Sequence, residues 1–366
     1  MRLKDLAKIV QKIAPADLAC DWDNPGLQVG SLDQKVTRIG LALDATEKTL
    51  ASAAQAGCDL LFSHHPLIFK AIKKIDISSY PGTVIAKAAS LGIAVFSAHT
   101  NWDSSAQGVA QALADRLGLE NREPLEPVSR NFLKLVVFVP AGYEPQVREA
   151  VFKAGCGVVG DYDDCWFGSR GEGGYRVPPD GQPFIGEKGR ETRTGESRLE
   201  IILPPSLADL AAATVRASHP YEEPAFEFHS ISIPGRSEGA GLLARWPETR
   251  NLLLELHKAG FSSYKWAGPE PLEVSKVALL PGSGGDYLYL AKARGAEVLI
   301  TADTKYNQAL DSESLGLTLV DLGHFETEWP GVEKLAGILE AELRRMNFEV
   351  DCLVLNQPCP WRYHAK

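Results

Sequence analysis

At 366 residues the chain is too long for one ordinary hydrophobic core, so two domains are expected. Its 45% hydrophobic and 23% charged residues describe an ordinary globular protein. The formal net charge of −9 argues against a general binder of nucleic acid or anionic membrane, because phosphate contacts need clustered Lys and Arg.

The opening segment MRLKDLAKIVQKIAP spaces Leu3, Leu6, Ile9, Val10 and Ile13 as one face of an amphipathic helix. It lacks the continuous apolar run of a signal peptide, and no later stretch is long and apolar enough to span a bilayer. None of the six cysteines forms a C-x-x-C pair, so reduced thiols are expected, and a cytoplasmic location with them. DWDNPGLQVG (residues 21–30) follows. There Asp23 and Asn24 either border a site or form the Asx-Pro turn that their residue types favour.

From Val36 to about Gly118 strand and helix patterns alternate: VTRIGLALD, TEKTLASAAQAG, CDLLFSHH, TVIAKAASLG, IAVFSAHT and AQGVAQALADRLG. The helices end at Gly57, Gly92 and Gly118, where a left-handed cap is favoured. Repeated βα units predict parallel strands joined by right-handed crossovers. ENREPLEPVS reads as a connector, and the stretch from Asp161 to Arg198, rich in Gly, Pro and charge, reads as loops or hairpins. After about Gly239 the βα rhythm returns, through SKVALLPG, DYLYLAKARG, EVLITAD, NQALDSESLG, LTLVDLGH, a long helix from about Glu328 to Met346, and FEVDCLVL. The expected architecture is therefore an α/β domain of mostly parallel sheets with flanking helices, formed by residues 1–128 and 237–366. A ferredoxin-like α+β domain, residues 129–236, is inserted in it.

Three apolar runs end abruptly in ligand-type side chains: CDLLFSHHP with His64 and His65, IAVFSAHTNWD with His99, Asn101 and Asp103, and LTLVDLGHFETE with His324 and Glu328. In open α/β sheets ligands bind at the carboxyl ends of strands. His64 and His65 can fan toward two ions, His324 and Glu328 share one helix face, and Asp103 has two oxygens with which to bridge. Imidazole with carboxylate suits Zn, Mn or Fe better than Ca or Mg. Two such ions, about 3.5–4 Å apart, activate water and clamp an oxyanion. The expected metal ligands are His64, His65, Asp103, His324 and Glu328, with Asn24, His99, Asn101, Asp303 and Asn307 as outer contacts or substrate contacts.

PGSGGD follows a strand, and its Gly282, Ser283, Gly284 and Gly285 read either as an anion-binding turn or as a tight turn with no ligand. It is not a Walker A loop, since no Gly-Lys-Ser/Thr follows. HPYEEP, opened by His219, reads as a surface loop at a subunit contact, with an additional metal site as the alternative. His229, His257 and His364 receive no role, and neither a Ser-His-Asp set nor a nucleophilic Cys with a visible partner is present.

DNPGLQVG, SHHPLIF, SAHTNWD, PGSGGD, ITAD and LGHFETE together resemble the NIF-three-like family, dinuclear-metal-centre proteins also labelled GTP cyclohydrolase I type 2 homologs. GCGVVGDYDDCWF, GYRVPPDGQPFIGE and ASHPYEEPAFE resemble the insertion of the longer members, which is similar to CutA-like and PII-like domains. The resemblance implies that the five residues above hold two divalent ions per chain, and it implies a toroidal homohexamer. Many relatives carry His where this chain has Asn307, which has no useful proton-transfer pKa. The expected function is metal-dependent hydrolysis of a small phosphorylated or nucleotide-like substrate. The alternative is a non-enzymatic protein that handles metal or senses a small effector.

Overall fold

The computed structural model describes residues 1–160 and 162–362; His364 lies outside them. Its strands run in chain order as β1 (Gly26–Val29), β2 (Arg38–Ala42), β3 (Leu60–Ser63), β4 (Ala94–Ser97), β5 (Glu120–Pro140), β6 (Phe167–Arg176), β7 (Glu191–Leu203), β8 (Phe226–Arg250), β9 (Lys265–Ala267), β10 (Val274–Leu279), β11 (Val298–Thr301), β12 (Thr318–Asp321) and β13 (Asp351–Val354). The chain divides into two compact units, Met1–Val128 with Gly235–Lys366, and Ser129–Pro234. Among the described residues no helix is long and apolar enough to cross a membrane.

The first unit contains two sheets built on the βα rhythm. In one, β4, β3, β2 and β13 are parallel and β1 closes the edge antiparallel to β4. In the other, β10, β11 and β12 are parallel, flanked by antiparallel β8 and β9. Strands β3, β4, β11 and β12 are buried at every residue, as LLFS, AVFS, VLIT and TLVD. Parallel strands covered on both faces read as continuous apolar runs rather than alternating ones. Gly57, Gly92 and Gly118 take φ of 69°, 66° and 63°, the left-handed turn that stops each helix and aims the chain at the next strand.

The second unit follows the order β5, helix Glu144–Lys153, β6, β7, helix Ala208–Ser218, β8. Its strands lie in the order β6-β7-β5-β8, with antiparallel β6–β7 and β7–β5 pairs, which is the ferredoxin-like arrangement. Val137, Val139, Val147, Val151, Ile201 and Val215 pack between the sheet and its helices. The aperiodic Gly-rich stretch becomes the β6–β7 hairpin, paired from Phe167↔Glu200 to Arg176↔Glu191. β6 is largely solvated on both faces, so no alternation marks it in the sequence.

Two elements differ from expectation. ENREPLEPVS is the first half of β5 rather than a connector, because Leu125 is buried with Leu243, Ala278 and Leu280. The last helix opens at His324 rather than near Glu328, since Gly323 (φ 92°) turns the chain out of β12 directly into it.

Candidate metal centre

Apart from Asp23, which precedes β1, and Glu328, one turn into the last helix, the side chains of the site stand past the carboxyl end of a parallel strand or on the turn or short helix that follows. β2 leads to Asp44, β3 to His64 and His65, β4 to His99 and the short helix Thr100–Asp103, β11 to Asp303, and β12 to His324. Within each of the two sheets the crossovers deliver the exit loops of the parallel strands to one edge.

Four imidazoles are anchored in one way. His64 Nδ1 donates to the Ala98 carbonyl at 3.0 Å, and His65 Nδ1 bonds Asp44 Oδ1 at 2.7 Å. His324 Nδ1 bonds Asp303 Oδ2 at 2.7 Å, and His99 Nδ1 bonds Asp23 Oδ1 at 2.9 Å. Each acceptor takes the Nδ1 proton and directs Nε2 inward, the arrangement found around metal-ligating histidines. The anchors are themselves held. Gln357 bonds Asp44, the Thr100 amide and hydroxyl bond Asp23 at 3.0 and 2.6 Å, and Asp303 adopts φ 52°, uncommon outside glycine.

The inward atoms crowd together. Glu328 Oε2 lies 3.0 Å from His65 Nε2, 3.0 Å from His324 Nε2 and 3.8 Å from His64 Nε2. Asp103 Oδ1 is 3.5 Å from His64 Nε2. Glu328 Oε2 thus faces three imidazole nitrogens, whereas Asp103, the expected bridging carboxylate, faces one. His65 Nε2 and His324 Nε2 stand 3.2 Å apart. Two bare lone pairs at that distance would repel, so these nitrogens either carry protons directed at Glu328 Oε2 or bind a cation.

Burial, aided by nearby His65 and His99, pushes His64 down to about 3, so it is neutral with a free Nε2 lone pair. Burial also opposes charge on His65 and His324, yet hydrogen bonds and charge from Asp44, Asp303 and Glu328 prevail and hold them up to about 10 and about 9. Glu328 is fully buried but kept well below the carboxylate range by the surrounding imidazoles, whereas burial and Glu328 raise Asp103.

The residues fit a bound cation. His64 Nε2 and Asp103 Oδ1 are buried without a hydrogen-bond partner, although buried polar atoms are almost always satisfied. His64, His65 and His99, and likewise His65, His324 and Glu328, each place one ligand atom within 4.8 Å of the others.

The remaining expected residues divide. Asp303 anchors His324. Asn101 is buried as a bracket, its amide donating to the Ala14 carbonyl at 2.7 Å and its Oδ1 accepting from the His99 amide at 2.9 Å. Asn24 donates to the Ile68 carbonyl at 2.7 Å, which ties the DWDN turn to the segment after His65. Asn307 is exposed at the start of helix Tyr306–Leu315. In the glycine loop the Gly282 amide donates to Thr327 Oγ1 at 3.0 Å and the Gly284 amide to Thr301 Oγ1 at 2.8 Å, so these two donors serve the fold. A Cβ at Gly282 would overlap Glu328 Oε1, so this glycine is what lets the carboxylate lie against the loop. Asp44 was not singled out from sequence. The signal was present, since VTRIGLALD ends in a carboxylate at the same edge as the histidines.

The Duf34/NIF3 (NGG1p interacting factor 3) family profile matches residues 1–360. The chain belongs to this family. It is 34% identical over 322 residues to a Halalkalibacterium halodurans protein named GTP cyclohydrolase 1 type 2 homolog, covering 87% of each chain. It is 34% identical over 327 residues to a Bacillus subtilis protein of the same name, covering 88% of each. A solved Bacillus cereus protein related to NIF3 superposes with a TM-score of 0.80 at 32% identity, covering 100% of this chain and 99% of that one. A solved Staphylococcus aureus protein gives 0.83 at 26% identity with the same coverage.

Proposed function

We propose that this chain uses two divalent metal ions to hydrolyse a small phosphorylated or nucleotide-like substrate. The convergence of three anchored imidazoles, His64, His65 and His324, on Glu328, with Asp103 Oδ1 buried and partnerless beside His64, carries the reading. His64, His65, Asp103, His324 and Glu328 would hold the ions, with His99 grouped with His64 and His65 and Asp103 beside His64, and the donor set favours Zn, Mn or Fe. Bound ions of this kind polarise a substrate oxygen and make water a nucleophile at neutral pH.

The chain's own residues supply orientation. Asp44, Asp303 and Asp23 fix the tautomer and tilt of their histidines and strengthen Nε2 as a donor atom. A cleft of about 410 Å³ opens beside His324, lined by Tyr264, Lys265, Asp303 and Trp361. Its volume suits a small molecule. Lys265, exposed and 3.2 Å from Asp321, offers a cation to a phosphate, and exposed Trp361 offers a planar face to a base. The inserted unit we read as a CutA/PII-like module. Homohexamer formation fits the exposed apolar residues Phe69, Ile72, Ile75, Ile77 and Tyr80 that follow the histidine pair.

A second reading, metal handling coupled to effector sensing, is favoured by one observation: the inserted unit has its own cavity. One experiment separates the two. Protein loaded separately with Zn, Mn and Fe is screened against GTP, other nucleotides and phosphoesters, with Glu328→Gln as control. Turnover in a loaded form that the control lacks supports hydrolysis. No turnover in any form, together with rapid exchange of the ions into a chelator, overturns it in favour of metal handling.

A further inference from the structure

The two motifs that the metal centre leaves unused, GYRVPPDGQPFIGE and HPYEEP, meet in the inserted unit and line one cavity of about 470 Å³. That is within the range of small-molecule sites. Tyr175, Phe184 and Tyr221 form its aromatic walls. The Tyr175 and Tyr221 centroids are 5.8 Å apart at 66°, and those of Phe184 and Tyr221 are 6.3 Å apart at 54°. Rings at such steep angles make the sides of a box, not a stack that fills it. The box is braced from outside: Tyr143 packs edge-on to Phe184 at 5.3 Å, and the Tyr175 hydroxyl donates to the Ile185 carbonyl at 2.7 Å.

Glu196 completes the lining. Its Oε1 accepts the Tyr221 hydroxyl at 3.0 Å, and its carboxylate lies against Gly173, where a Cβ would overlap it. Among the described residues no Lys, Arg or His forms an ion pair with Glu196, although its neighbours in β7, Arg198 and Glu200, are paired. Arg176 and Glu222, both exposed, line the same cavity. A half-buried carboxylate without an ion-pair partner, in a cavity lined by three aromatic rings, is complementary to a positive charge carried on an apolar body.

We propose that this cavity binds a small organic ammonium ion, its charged head boxed by Tyr175, Phe184 and Tyr221 and balanced by Glu196. The proposal does not rest on the function assigned to the metal centre.

The full-length protein is titrated with choline and with its neutral isostere 3,3-dimethylbutan-1-ol, followed by ligand-observed NMR and calorimetry, with benzoate as an anionic control. Choline is expected to bind about tenfold or more tightly than the alcohol, the scale of a desolvated cation–π contact. Glu196→Gln and Phe184→Leu should each weaken choline by about five- to tenfold and leave the alcohol unchanged. Phe184 is 47% exposed, so its truncation tests the box without emptying a core. Metal content should be the same in all variants. Equal binding of choline and the alcohol, preference for benzoate, or choline affinity indifferent to both substitutions would each overturn the proposal.

Discussion

Replacing Gly282 by alanine tests whether the Glu328 carboxylate is held where a metal needs it. The added methyl would overlap Glu328 Oε1 and stand 3.4 Å from Glu328 Cδ and 3.7 Å from His324 Cε1, so the carboxylate must swing away. Residue 282 also has φ 68°, which costs a residue with a Cβ about 1–2 kcal/mol. These two effects are separable. Gly92 has nearly the same backbone, φ 66°, with nothing within 4 Å of its would-be Cβ. Gly92→Ala therefore carries the backbone cost alone. In chelator Gly92→Ala should lose about 1–2 kcal/mol of stability and Gly282→Ala at least as much, measured by denaturant unfolding. Only Gly282→Ala should lose metal affinity. Displacing a group that positions a site commonly costs 10–100-fold, about 1.4–2.8 kcal/mol, which competition with a chromophoric chelator resolves. Equal metal affinity for Gly282→Ala and Gly92→Ala would refute the placement of Glu328 at the centre.

Elemental analysis of gently purified protein should approach two equivalents of transition metal, and His64→Ala and His324→Ala should each lose at least one while circular dichroism is unchanged. Full occupancy in both would remove them as ligands. Asp44→Asn keeps the shape of the His65 anchor but not its charge, so it should weaken metal binding about 10-fold or more, read by the same competition assay. His219 is held below its ordinary pKa, chiefly by burial, against the pull of the Phe138 carbonyl. Its Nε2 donates to that carbonyl at 2.9 Å, and its Nδ1 accepts the Tyr221 amide at 3.0 Å, an interaction that protonation abolishes. The unfolded chain then binds the proton more readily, so stability is complete above the unfolded pKa of about 6.5 and falls as pH drops below it. Hydrogen exchange in the peptides around Val137 and Val215 should accelerate between pH 7.5 and 5.5 beyond the intrinsic pH effect, and His219→Gln should flatten that dependence.

Much of this protein is legible in its sequence because its grammar is local. Buried parallel strands are short apolar runs, and the glycines that stop helices announce themselves, as at Gly57, Gly92 and Gly118. Ligand-type residues stand out where such a run breaks, as at His64, His65, Asp103, His324 and Glu328. Other features had no local mark. β6 is wet on both faces and has no period to read, and the first half of β5 depends on Leu125 meeting residues more than a hundred positions away. That Glu328, and not Asp103, sits among three imidazoles could not be read either, since both are acids on a helix that follows a strand. Packing decided it: Gly282 clears a space for Glu328 among three imidazoles. Likewise the Gly282 and Gly284 amides look available in one dimension but are taken by Thr327 and Thr301 in three. Residue type and spacing determine which atoms have the chemistry to bind a metal, because those properties belong to the side chain and its nearest neighbours in the chain. Only the tertiary structure decides which of those atoms remain buried without a partner, because satisfaction of a polar group depends on everything packed around it.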